Sequence, residues 1–98
     1  MDSEFKEKIM ERAEVLRIIK DDLITRLNLP YKPEDLHEDV SLLGSGLGLD
    51  SLDALEVILG IEHAFKVKVA EDNISILRSI NSIADYVLAI RHGEEVPS

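Results

Sequence analysis

Cysteine and tryptophan are both missing from this chain of 98 residues, and aromatic residues amount to 4% of it. Without cysteine there is no disulfide framework and no thiol chemistry of the chain's own, so any thiol its function needs must be borrowed. Few aromatics mean that the interior must be built from Ile, Leu and Val. No apolar run approaches the length needed to span a bilayer, and the N-terminus carries Asp2 and Glu4 where a signal peptide needs bases and an apolar core. A soluble, unexported, cytoplasmic protein is expected. Positive charge is missing from one window: between Glu34 and Glu62 there are eight acids and no Lys or Arg. Such a surface repels nucleic acid and anionic membrane and attracts basic patches on other proteins.

What is present is one domain's worth of chain, enough for a small core but not for a deep enzymatic cleft as well. The formal net charge is −9. Residues 1–27 hold seven acids and six bases, whereas residues 28–98 hold thirteen acids and five bases. The charge therefore sits in the rear, around the stretch Gly44 to Glu56. There a run of glycines (Gly44, Gly46, Gly48) leads into Asp50-Ser51-Leu52-Asp53, and everything after Ser51 has the apolar spacing of a helix. Asp50 is a good N-cap and Asp53 lies three residues on, which puts Ser51 at a helix mouth between two acids. Helix N-termini carry partial positive charge and unpaired N–H groups, so a serine there is suitably placed to carry a phosphate ester.

In chain order, Phe5, Ile9, Ala13, Leu16, Ile19, Leu23 and Leu27 step by three or four and predict one amphipathic helix over about 3–27, with Val15 and Ile18 widening its stripe. Glu4 with Lys8, and Glu7 with Glu11 and Arg12, are expected on an exposed face. Asn28-Leu29-Pro30 ends this helix. In the long connection that follows, Pro33 is expected to start a helical turn through Leu36, and Val40, Leu42 and Leu43 to pin the loop across the core. The second helix is predicted over about 51–65. Ala54, Ile58, Ile61 and Phe65 form its core face, flanked by Leu55 and Val57. Its outer face carries Leu52, Glu56, Leu59 and His63, an apolar strip with a charged handle suited to transient docking. Gly60 is expected on that outer side. After the extended Val67-Lys68-Val69, Ala70–Asn73 begin a short helical segment with Ile74 and Leu77 inward. Ser79 caps the last helix, whose buried stripe is Ile80, Ile83, Ala84, Val87 and Ile90 with Leu88 at its edge. Gly93 stops it, and residues from there to 98 are expected as a disordered tail.

The residues Leu49-Asp50-Ser51-Leu52, followed by Glu56, Glu62 and Phe65, resemble the acyl carrier protein family from about Asp35 to Ile90. The resemblance implies an all-α antiparallel bundle of three main helices and a short fourth, in a single carrier domain over residues 1–98. It implies covalent 4′-phosphopantetheine on Ser51, with Asp50 helping to bind the metal ion and orient the serine during modification. It implies a non-enzymatic carrier of thioesters that is met by a phosphopantetheinyl transferase and by acyl-transferring or condensing enzymes with basic patches. The second helix becomes the recognition helix, with Leu52, Asp53, Glu56, Leu59, Glu62 and His63 as partner contacts. An aliphatic core that parts to admit an acyl chain would use Ala54, Ile58, Ile61, Phe65, Ile83 and Val87; each buried methylene gains about 0.8 kcal/mol. A monomer is expected, with no resident metal. The chain departs from the family's common pattern in its longer first helix, in the extra Gly-Leu-Gly before the motif, and in Glu62-His63-Ala64 where many fatty-acid carriers continue with acids. The last speaks against service to the general fatty acid synthase and favours a dedicated pathway, within an expected role in fatty acid, specialised lipid or polyketide synthesis.

Other readings compete with this one. A peptidyl, aminoacyl or aryl carrier shares the motif. An unmodified acidic interaction domain would keep the bundle and recruit a basic partner through the second helix. The glycine run lacks both a preceding strand and a following Lys-Ser/Thr, so it fails as a phosphate-binding loop. A hydrolase using Ser51 has no elbow motif, and His37, His63 and His92 are too scattered to supply a base or a metal site.

Overall fold

The computed structural model describes residues 3–42, 48, 50–69 and 74–93, with the side chains of residues 3–5 and 74 left aside. The expected Glu4–Lys8 pair, the placing of Phe5, Leu43 and Ile74, the segments 43–47, 49 and 70–73 and the tail from 94 lie outside the described residues. Three α-helices organise the rest: α1 (Ser3–Leu27), α2 (Ser51–Phe65) and α3 (Ile80–Arg91). Short 3₁₀ helices sit at Pro33–Asp35 and Ile74–Arg78, the second of them in the place of the expected short fourth helix. None of the described helices is long and apolar enough to cross a membrane.

Both α2 and α3 pack on α1, and α3 also packs on the second 3₁₀ helix. The ends of α1 and α2 follow from local chemistry. Asn28 takes φ +52, and the Leu29 N–H donates to the Ile24 carbonyl at 3.1 Å. Lys66 takes φ +55, and the Val67 N–H donates to the Glu62 carbonyl at 3.2 Å. Each is a Schellman ending, in which one left-handed residue turns the chain back to satisfy a carbonyl that the helix leaves open. Ser79 caps α3 by accepting from the Ser82 N–H at 3.1 Å.

The core is aliphatic. Val15, Ile19, Leu23, Leu42, Val57, Leu77, Ile80, Ile83 and Val87 are the largest side chains excluded from solvent. Leu36 and Leu42 pin the long connection over this core, as expected for Leu42, with Val40 half-buried. The stripe of α1 differs from its predicted course. Val15 is fully buried, while Ile9, Met10 and Ala13 are exposed. The reason is length: 25 residues extend about 37 Å, while the 12 residues of α3 extend about 18 Å. The first turns of α1 have no helix of matching length to pack on.

Glu11 and Arg12 also depart from the exposed face predicted for them and tie α1 to α3. Arg12 pairs with Asp85 at 2.8 Å and donates to the Asn81 side-chain oxygen at 3.0 Å. Glu11 meets the His92 Nε2 at 2.8 Å and Arg91 at 3.4 Å. Hydrogen bonding to His92, joined by the charges of His92 and Arg91, holds the Glu11 carboxyl below its ordinary range against the opposing effect of burial. Asn81 extends the seam to the long connection, donating its backbone N–H to the Glu38 carbonyl at 2.9 Å and its side-chain N–H to Asp39 at 2.7 Å. The Glu38 carboxyl is likewise held low, by its own backbone N–H first and by Lys20 at 3.4 Å in support.

Candidate functional site

The site is built on the first turn of α2. Asp50 is the N-cap: its Oδ1 accepts from the Asp53 N–H at 2.9 Å, and the Asp53 Oδ2 accepts from the Asp50 N–H at 3.4 Å. Each acid thus turns a carboxylate oxygen towards a backbone amide, and the pair forms a capping box around the start of the helix, where Ser51 lies. Ser51 is the first residue of the helix. It is exposed, and its hydroxyl has no partner among the described residues. Before it, Gly48 takes φ +70, a left-handed conformation that a residue with a Cβ adopts at a cost. The N–H groups of the first turn have no acceptor within a helix, and their positive end suits a phosphodiester on the serine oxygen. An exposed, unengaged hydroxyl at such a place fits a covalent phosphate-linked group. No cluster of residues able to hold a metal occurs among the described ones.

From Ser51, α2 presents three faces. Ala54, Val57, Gly60, Ile61 and Phe65 are buried. Relative to the predicted core face, the helix is rotated by about half of the hundred-degree step between successive residues. Val57 becomes a centre of the core, Ile58 is only half-buried, and Leu55 is 53% exposed instead of flanking the core. Gly60, expected on the outer side, lies instead on this buried face. It faces α1, where an added Cβ would collide with the side chains of Asp22 and Arg26, themselves paired at 3.2 Å. A glycine is the residue that lets the two helices approach with that ion pair between them.

The outer face is as predicted in its main members and wider by one leucine. Leu52 is 72% and Leu59 52% exposed, and Glu56 and His63 are exposed beside them. Three large apolar side chains with a carboxylate among them form a patch of the kind that marks protein contacts. His37 is also exposed, and His92 is engaged with Glu11.

The third face borders a groove of about 550 Å³ lined by Ser51, Ala54, Leu55, Ile58, Leu59, Glu62, Lys68 and Val69. It begins at the serine and follows α2 for eleven residues, about 16 Å. Of the six residues expected to line an acyl pocket, Ala54 and Ile58 line this groove; Ile61, Phe65, Ile83 and Val87 do not line it. These four belong to the packed core, whereas this groove lies between α2 and the chain that follows it. Glu62, expected as a partner contact, is half-buried, and its Oε2 accepts from the Val69 N–H at 2.9 Å. Sequence reasoning missed Leu55, Lys68 and Val69 as groove residues. The spacing of positions 51, 55, 58, 59 and 62 along one flank of the helix was the available signal; the return of Lys68 and Val69 had none.

Comparison with known proteins points one way. The family model described as "Phosphopantetheine attachment site" matches residues 14–87. Among curated proteins, the chain is 31% identical over 75 residues to "Acyl carrier protein 4, chloroplastic" of Cuphea lanceolata, covering 76% of this chain and 49% of that one. It is 30% identical over 80 residues to "Acyl carrier protein 2, chloroplastic" of Spinacia oleracea, covering 76% and 62%. To "Acyl carrier protein" of Chlamydia trachomatis it is 34% identical over 59 residues, covering 60% and 75%. The chain spans about half to three fifths of the length of the two chloroplast relatives.

Proposed function

Since this chain belongs to the phosphopantetheine attachment-site family, we propose that it is an acyl carrier protein whose prosthetic arm is attached to Ser51. The family's site is the attachment point of covalent 4′-phosphopantetheine. The observation that carries the assignment to Ser51 is its exposed hydroxyl, without a partner among the described residues, at the mouth of α2, where two acids cap the helix. In the modification, the Ser51 oxygen bonds to the phosphopantetheine phosphorus of coenzyme A. The pyrophosphate bond breaks, the adenosine bisphosphate leaves, and the serine proton passes to the transferase. The arm supplies the thiol that this cysteine-free chain lacks.

The chain's own residues then carry and present cargo without catalysing its chemistry. Leu52, Leu55, Leu59 and Glu56 offer enzymes with basic patches an apolar contact and a charged register, and the acidic window from Glu34 to Glu62 steers their approach. A tethered acyl group is held at high effective concentration near each enzyme in turn. The groove running from Ser51 along Ala54, Ile58 and Leu59 is where an acyl chain can leave water. Fatty acid, specialised lipid and polyketide pathways all supply cargo of this class.

Intact mass after incubation with coenzyme A and a phosphopantetheinyl transferase tests the assignment. The wild-type chain is expected to gain one phosphopantetheine, and Ser51→Ala to gain none. A wild-type chain that stays unmodified, or a gain that survives the substitution, leaves an acidic interaction domain as the better reading.

A further inference from the structure

The segment just after α2 forms the far wall of the groove, and it is held from both sides. Glu62 takes three of its amides: the backbone carbonyl accepts from the N–H groups of Lys66 and Val67, and the side-chain Oε2 accepts from the Val69 N–H at 2.9 Å. From α3, the hydroxyl of the buried Tyr86 donates to the Lys68 carbonyl at 3.1 Å. Lys68 and Val69 line the groove, and so does Glu62 itself. Residues 66–69 therefore make a strap between α2 and α3, in which the single peptide group joining Lys68 to Val69 is gripped from both sides, its N–H by Glu62 and its carbonyl by Tyr86. We infer that this strap sets the width of the groove, and that Glu62 and Tyr86 are the positioning residues that keep it closed over a bound acyl chain.

The inference rests on the carrier reading and assigns Glu62 a role inside the domain instead of on its docking face. Two features separate a positioning role from mere support. The carboxylate acts through an oxygen that accepts a hydrogen bond, which a neutral amide can replace. The hydroxyl of Tyr86 is one atom on a ring that stays packed without it.

The test is thioester protection on the loaded chain. Acetyl and octanoyl forms are treated with hydroxylamine, and the ratio of their cleavage rates is read. In the wild type the octanoyl form is expected to be cleaved more slowly. Glu62→Ala and Tyr86→Phe are each expected to reduce that protection by about three- to tenfold, the scale of one lost hydrogen bond, and to leave the acetyl rate unchanged. Glu62→Gln is expected to keep the protection. Amide exchange at Val69 in the unloaded chain should rise in Glu62→Ala and not in Glu62→Gln. Equal octanoyl and acetyl rates in the wild type overturn the inference, as does undiminished protection in Tyr86→Phe and Glu62→Ala. Glu62→Gln behaving like Glu62→Ala would show that an accepting oxygen does not suffice, and would overturn the positioning role given to Glu62. A wild-type chain that takes up no phosphopantetheine sinks the carrier reading instead, and the Val69 exchange then still decides whether the strap is held as described.

Discussion

The seam between α1 and α3 and the outer flank of α2 are held by different means. Towards α3, aliphatic side chains are fully excluded from solvent, and Glu11, Arg12, Asp85, Asn81 and His92 lace the edge of the contact with charge-assisted bonds. On the far side of α2, beyond its contact with α1, the neighbour is a strap with two side-chain hydrogen bonds, a groove, and three leucines more than half exposed. The proposed carrier role needs this inequality. One side must stay folded while cargo and partners come and go on the other, and regions that open are drawn from the less tightly packed parts of a fold.

The largest effect that can break this comparison is in the seam. Ile83→Ala removes a fully buried side chain from α3 and is expected to cost roughly 2–5 kcal/mol in urea unfolding. Leu55→Ala, on the exposed rim of the groove, is expected to stay within about 0.5 kcal/mol while weakening association with partner enzymes. Similar losses at the two positions would mean that the two sides are equally packed.

A smaller effect is expected where α1 meets α2. Gly60→Ala gains helix propensity of roughly 1 kcal/mol, but the new methyl group displaces the Asp22–Arg26 pair. That pair is partly exposed and its loss costs about 0.3–0.5 kcal/mol. A net gain of about 0.5 kcal/mol is expected in the same assay. A loss instead would show that the approach of the two helices, and not the ion pair alone, depends on the missing side chain.

The smallest effect is in acid. The Glu11 and Glu38 carboxyls are held below the ordinary glutamate value of 4.5 in the folded chain. Their contribution to stability is therefore complete above that pH and is lost as the pH falls through the lowered folded values. Unfolding midpoints are expected to drop on acidification below about pH 4.5, and Glu11→Gln to flatten the drop. A variant whose profile matches the wild type would remove Glu11 from the account of the seam.

The legible parts of the molecule are those whose cause is local. The bounds of α1 and α2, the capping box of Asp50 and Asp53, and the Ser79 cap all follow from residues within four positions of one another. Ser51 was legible for the same reason, since a helix mouth is made by its own neighbours. Glu11 and Arg12 were misplaced, and the bond from Glu62 to Val69 was not foreseen, because charge patterning shows that a side chain is polar without showing which partner it will find. Glu11 and Arg12 have their tertiary partners between 69 and 81 positions away. The rotation of α2 was hidden for a related reason: Val57, Ile58 and Leu55 are equally apolar, so spacing alone cannot choose among them.

From its amino acids alone, this chain is committed to three helices, an aliphatic interior, an acidic surface and a serine offered at a helix start, because propensity, capping and periodicity act over a few residues. Which face of α2 would bury itself, where the free volume would lie, and whether Glu62 would face outwards or grip the chain behind it were decided only on packing. Those outcomes depend on how α1 packs on α2 and on where the segment 66–69 returns. Both are set by distances between parts of the chain that its linear order leaves open.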